Sequence, residues 1–292
     1  MQNTTENLLN KISNNLSDFS KGHKMIAAYI IDHYDKAAFM TAARLGLTVG
    51  VSESTVVRFA FELGYSGYPE LQRSLQELIR NKLTAVQRIE VTHDLIGTED
   101  ILDKVLNMDV EKIRRTLEET SREDFKKAVD VIVGAQNIYV IGDRSAAALA
   151  RFITFYFNLI FENVKIVHTT SNSEMFEQIM RIRKNDVIIG ISFPRYSRRT
   201  VNALRYASDN DAKVIAITDS RLSPLAAIAD CLLLARSDMA SFVDSLVAPL
   251  SLINALIVAV GIEKNEEVSA TFDRLEHIWE EYQVYEKPED SR

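Results

Sequence analysis

Residues 41–65 read TAARLGLTVGVSESTVVRFAFELGY, and the spacing of small and apolar residues within them decides the N-terminal fold. Leu45 and Val49 lie one helical turn apart, and Val51, Val56, Phe59 and Leu63 supply the apolar side of a second helix. Gly46 would face that helix without a side chain and let the two axes approach. Gly50 falls at the turn, where the backbone needs a positive φ that glycine adopts cheaply. Ser52 is placed as an N-cap, with Thr55 where a full capping box has Glu or Gln. Two short helices joined in this way form a helix-turn-helix, the unit that lays its second helix in the major groove of DNA. Ser52, Glu53, Ser54, Thr55 and Arg58 then fall on the first two turns, away from the apolar stripe. They are the expected DNA contacts. Glu53 can accept from a cytosine amino group or hold the helix start, and Arg58 can reach phosphate or base. The competing reading of the same residues is an ordinary helical hairpin in a small bundle.

The neighbouring sequence is helical too. Residues 3–15 are a short amphipathic segment, and Phe19, Met25, Ile26, Tyr29, Ile30 and Tyr34 recur at helical spacing, with Ser20 as a possible cap. After Gly64 the turn-rich YSGYPE leads to a helix with Pro69 in its first turn and Leu71, Leu75, Leu78 and Ile79 on one face. Helical periodicity lapses over 88–98, where a linker is expected. Residues 99–116 and 121–134 form two further amphipathic helices.

From Asn137 the pattern changes. Five short runs alternate with helical ones: IYVIG (138–142), VKIVH (164–168), DVIIGIS (186–192), KVIAIT (213–218) and DCLLLA (230–235). Strands apolar on both faces and separated by helices predict a parallel sheet covered on both sides. Long helices over 240–262 and 264–284 complete a three-layer αβα sandwich.

Composition bounds the rest. A chain of 292 residues favours two domains, and no apolar run reaches the about 18 uncharged residues of a membrane span. The longest, 246–262, is broken by Pro249 and Asn254 and reads as a buried helix. A single cysteine, Cys231, excludes an intramolecular disulfide framework and fits a reducing cytoplasm; inside CLLLA it reads as a small buried hydrophobe. The N-terminus has neither a basic start nor a continuous apolar segment, so export is not expected. The net charge of −7 argues against general coating of nucleic acid. Residues 1–90 nevertheless carry ten Lys and Arg against nine Asp and Glu, which leaves the acidic excess in the remainder.

In an open α/β sheet, ligands bind beyond the carboxyl ends of strands, where helix N-termini present unpaired N–H groups. The first predicted strand runs into GDRSAAALA and the third into SFPRYSRRT. These turns offer Ser145, Ser192, Ser197 and Thr200 hydroxyls with Arg144, Arg195, Arg198 and Arg199 nearby. Hydroxyls and guanidinium forks at a helix start suit a phosphate or carboxylate. The alternative is that the serines cap helices and the arginines are solvated.

The helix-turn-helix, the following LGYSGYPELQ and the later ITDSRLSPLAAIAD together resemble the RpiR family of bacterial transcription regulators. That resemblance implies an all-α helix-turn-helix domain joined to an α/β SIS (sugar isomerase) domain with a five-stranded parallel sheet. It further implies that the SIS domain senses a phosphorylated sugar, cradled by a Ser-containing turn after the first strand and an SxSGxT turn after the third. Ser145 and Ser192 match the serines of those turns. Pro194, Arg195 and Ser197 stand where the second serine, the glycine and the threonine belong, and Arg144 takes a position usually small. The arginine side chains can here replace close backbone approach with direct charge, so a carboxylate-bearing metabolite is an alternative to a phosphosugar.

The expected organisation is a DNA-binding domain over 1–88, a linker and connecting helix over 89–120, a SIS domain over 121–285 and a tail over 286–292. The expected partners are double-stranded DNA with a palindromic operator, a small anionic effector, and a second copy of the chain, with a tetramer as the alternative. The apolar helices 146–161 and 240–262 are the expected dimer surfaces. No membrane, metal or cofactor is expected. The five histidines and one cysteine lack metal-ligand spacing, and GDRSAA lacks the glycines of a dinucleotide fingerprint. Isomerisation needs a base and usually a ring-opening acid. Over 137–262 the only histidine is His168, with Glu174 and Glu177 on the next helix. The rival readings are a sugar-phosphate isomerase with a helical accessory domain, and a helical module that binds protein.

Overall fold

The computed structural model describes residues 4–79, Ile89, 100–237 and 243–285. The expected linker apart from Ile89, the start of the expected helix at 240–242, the side chain of Ile79 and the tail at 286–292 lie outside them. The chain forms two compact units, the first running to Val105 and also taking in Val243, the second comprising the described residues from Leu106 to Ser237 and from Asp244 onward.

In the first unit, the described helices are α1 (Thr4–Asn14), α2 (Lys21–Asp32), α3 (Tyr34–Ala37), α4 (Ala42–Val49), α5 (Glu53–Glu62) and α6 (Tyr68–Ile79). Ser20 and Thr41 cap α2 and α4, their hydroxyls accepting from the His23 and Arg44 amides at 3.3 and 3.2 Å. The core gathers Ile12, Ile26, Ile30, Leu45, Val56, Phe59, Leu71 and Leu75, all fully buried. Met25 departs from the expected apolar face: it is 42% exposed, and its methyl lies 3.8 Å from where a Gly50 Cβ would stand. α6 closes the unit with polar contacts as well. Tyr68 Oη and Gln72 Nε2 each donate to the Met40 carbonyl at 2.8 Å, and Gln76 donates to Ala38 at 3.0 Å. These bonds satisfy carbonyls of the turn that follows α3. Burial pushes the Tyr68 phenol pKa upward.

The second unit contains most of α7 (Ile101–Glu119), then α8 (Arg122–Val133), β1 (Ile138–Gly142), α9 (Ala146–Phe157), β2 (Val164–Val167), α10 (Asn172–Ile179), β3 (Val187–Ile191), α11 (Arg198–Asp209), β4 (Lys213–Thr218), β5 (Cys231–Leu234), α12 (Val247–Glu263) and α13 (Asn265–Glu281). The sheet is wholly parallel in the order β2-β1-β3-β4-β5. Alternate residues serve opposite layers. Ile138, Val140, Ile189 and Ile215 join the core with α8, α9 and α12, whereas Tyr139, Ile141, Ile188 and Val214 join the core with α10 and α11. β2 is an edge strand, and exposed Lys165 discourages further pairing there. The five strands fall on the five predicted runs. The last long helices are shorter than predicted: α12 starts at Val247, with 243–246 non-helical and Pro249 in its first turn, and α13 stops at Glu281. α9 likewise ends at Phe157.

α7 holds a surprise of packing. From Leu106 onward it buries Lys112 and Thr116 while Leu106, Val110, Ile113 and Leu117 remain 38–59% exposed. The buried side is held by hydrogen bonds. The Arg236 amide donates to Thr116 Oγ1 at 2.9 Å, Arg236 reaches Glu119 at 2.5 Å, and Asp109 receives both Lys112 at 2.9 Å and Ser245 at 2.6 Å. Thr120, just past the helix, donates to the Leu234 carbonyl at 2.8 Å. The predicted amphipathic helix exists, but within this chain its polar face is the one that is covered.

Candidate functional site

The first site is the α4–α5 pair. Gly50 ends α4 at φ 76°, and the Val51 amide returns to the Gly46 carbonyl at 2.8 Å. Only a short backbone hydrogen at Gly46 fits: an added Cβ would stand 2.8 Å from the Val51 carbonyl oxygen and 3.3 Å from the Glu53 amide. Ser52 caps α5 by accepting from the Thr55 amide at 3.3 Å. Its hydroxyl also lies 2.8 Å from Thr55 Oγ1 and 2.9 Å from Ser54 Oγ, so Thr55 does extend the cap.

Four of the five expected contacts stand on the exposed side of α5: Ser52, Glu53, Ser54 and Arg58. Thr55 is half-buried, and its methyl packs towards Gly22, where an added Cβ would come within 3.2 Å. It positions the helix more than it faces solvent. Arg58 Nε donates to the Ser54 carbonyl at 3.3 Å, which lays the guanidinium along the outer face. At the far end of α5, Glu62 pairs with His23 of α2. Behind it, the Ser66 amide and hydroxyl donate to Glu70 at 2.6 and 2.7 Å and hold that carboxyl below its usual pKa.

The second site lies at the carboxyl ends of β1 and β3, which are adjacent, with Gly142 opposite Ile191. The strand order reverses between β1 and β3, the place where open α/β sheets bind ligands. Gly142 is needed here, since a Cβ would stand 2.6 Å from the Ala146 carbonyl oxygen. Arg144 and Arg195 both adopt left-handed backbone, at φ 55° and 69°. Each costs about 1–2 kcal/mol relative to right-handed backbone. Arg195 thus takes a backbone conformation that glycine adopts most cheaply while carrying a cation.

The expected ligand residues divide into two groups. Arg144, Ser145, Arg195 and Arg198 are exposed, and the Ser145 hydroxyl makes no capping bond to α9. Ser192, Ser197 and Thr200 instead hold the β3 turn. The Ser197 amide donates to Ser192 Oγ at 3.1 Å, and Ser197 caps α11 by accepting from the Thr200 amide at 3.3 Å. Ser197 thus serves as the cap of α11. Thr200 is fully buried, and its hydroxyl has no partner among the described residues.

Sequence reading missed the carboxylates. Asp143 accepts from Ser197 Oγ at 2.6 Å and pairs with Arg199 Nε at 3.2 Å, while Arg199 also donates to the Thr169 carbonyl. Asp219 is buried at the end of β4 and accepts from Tyr196 Oη at 2.9 Å. The signal available was an acidic residue directly after each of two strands. His168 and the following glutamates are engaged locally. Arg151 lies 3.1 Å from His168 Nε2, Gln178 brackets the His168 backbone, Thr169 binds Glu174, and Ser173 donates to Glu177 at 3.1 Å.

Comparison with known proteins agrees with both units. Residues 6–82 match the helix-turn-helix domain of the rpiR family, and residues 131–259 match the SIS domain. The chain belongs to the RpiR family. HexR of Escherichia coli, a HTH-type transcriptional regulator, is 27% identical over 225 residues, 75% of this chain and 74% of that protein. An HTH-type regulator of Caldanaerobacter subterraneus subsp. tengcongensis is 25% identical over 263 residues, 86% and 89% of the two chains. The sugar isomerase domain of an RpiR transcription factor from Sphaerobacter thermophilus superposes with a TM-score of 0.59 at 27% identity, covering 61% of this chain and 99% of that one. The Vibrio vulnificus NanR protein, solved with ManNAc-6P, has the same fold over 93% and 98% of the two chains, at a TM-score of 0.57 and 22% identity. This RpiR-family chain is therefore a transcriptional regulator built from a helix-turn-helix domain and a SIS domain.

Proposed function

We propose that this RpiR-family regulator binds a palindromic operator as a homodimer in the cytoplasm, and that a small anionic sugar metabolite at the ends of β1 and β3 alters that binding. The observation that carries the reading is the joint one. α5 presents Ser52, Glu53, Ser54 and Arg58 outward in a chain whose sheet ends carry exposed Arg144, Arg195 and Arg198. A phosphorylated sugar is the class that the family resemblance suggests and that NanR holds; this chain's own turns contribute cationic charge.

Apolar exposure supports self-association. Phe155 of α9 is 62% exposed, and Val258 and Ile262 of α12 are 60% and 69% exposed. These helices pack together in the second unit. The outward stripe of α7 adds Leu106, Val110, Ile113 and Leu117 at the 4-3-4 spacing of a helix seam. Local bonding of His168, Glu174 and Glu177 favours a sensor over an isomerase.

The test is release of a DNA duplex, selected by the protein itself, on titration with sugar phosphates and sugar acids. One compound should shift the duplex affinity at least about 5-fold, and Ser192→Ala combined with Arg195→Ala should abolish that shift without changing DNA affinity. Turnover of a phosphosugar would overturn the sensor reading.

A further inference from the structure

An anion-binding sheet end is the reading on which this inference rests, and one carboxylate already occupies it. Asp143 follows β1 directly, and its Oδ2 takes both the Ser197 hydroxyl at 2.6 Å and Arg199 Nε at 3.2 Å. The single Ser197 hydroxyl proton is committed to Asp143, while its oxygen accepts from the Thr200 amide. The carboxylate thus sits beside the first turn of α11, where the helix dipole favours negative charge. Thr200, in that same turn, is fully buried, and its hydroxyl has no partner among the described residues.

We propose that Asp143 is a specificity-determining residue, acting as a resident anion that discriminates against phosphate. A ligand phosphate that takes the Ser197 proton and the Arg199 guanidinium must expel the Asp143 carboxylate or lie against it. Like charges at contact distance disfavour that arrangement, and a dianion suffers more than a monoanion. Arg144, Arg195 and Arg198 are exposed at the same turns and can meet a singly charged group without displacing Asp143. The effector class that fits is a sugar acid bearing a carboxylate.

Calorimetric titration of the full chain with inorganic phosphate and with gluconate tests this. Asp143→Asn and Asp143→Ala should each bind phosphate at least about 10-fold more tightly than the wild type, with a smaller change for gluconate. The Asn variant keeps the size of the side chain and an acceptor for Ser197, and circular dichroism melts confirm that both variants fold. Equal phosphate affinity in wild type and variants would overturn the role of Asp143 while leaving the anion site standing. Weaker affinity in the variants would make Asp143 an orienting partner of Arg199, and would equally overturn it. Absence of binding of either anion to every protein would remove the anion site and this inference together.

Discussion

Ser197 Oγ donates to Asp143 Oδ2 at 2.6 Å across 54 residues of chain, tying the turn after β1 to the turn after β3. The same hydroxyl oxygen caps α11. Ser197→Ala removes both contacts at once, and should lower stability by about 1–2 kcal/mol. Urea denaturation followed by circular dichroism measures it. An unchanged midpoint would mean that neither contact persists in solution.

The two glycines of the helix-turn-helix should respond differently to alanine. At Gly50 the cost is backbone strain, about 1–2 kcal/mol at φ 76°, with the nearest atom at a comfortable 3.8 Å. At Gly46 the new Cβ meets the Val51 carbonyl oxygen at 2.8 Å, so α4 and α5 must part. Gly46→Ala should therefore impair duplex binding more than Gly50→Ala, as read by fluorescence anisotropy. The reverse order would contradict the packing described for the turn.

The outward stripe of α7 bears on self-association. Val110→Glu together with Leu117→Glu places charges on exposed positions and leaves the buried Lys112, Thr116 and Thr120 contacts intact. Sedimentation should shift from dimer to monomer with unchanged secondary structure. A dimer that persists would move the seam to α9 and α12.

Cys231 gives a chemical readout of the sheet. Burial is the main cause that pushes its thiol up to about 11, so at pH 8 it is neutral as well as 1% exposed. A thiol-reactive dye should label the folded chain slowly and the urea-unfolded chain at once. Rapid labelling of the native protein would show that β5 opens readily.

Much of this fold was legible because backbone geometry leaves a residue signature. Gly50 and Ser52 marked a turn and a cap, and both are used as expected. The alternation of apolar runs with helices gave five parallel strands. Thr55 is half-buried and Met25 is exposed, small rotations that periodicity cannot resolve within one residue of a face boundary. The orientation of α7 was not legible, because an apolar stripe does not say whether it packs inside the chain or against another. The role of Asp143 escaped for a different reason. Its meaning depends on Ser197 and Arg199, which lie far away in sequence and approach only once β1 and β3 pair.

Duplex selection reads the DNA-facing role of α5 directly. Wild-type protein should enrich a palindromic sequence from a random duplex library, and Arg58→Ala should bind the enriched duplex weaker by about 1–3 kcal/mol. If Arg58 meets a phosphate, the salt dependence should also fall by about one counterion. No enrichment over random sequence, or full affinity in Arg58→Ala, would contradict the assignment of α5 as the DNA-reading helix.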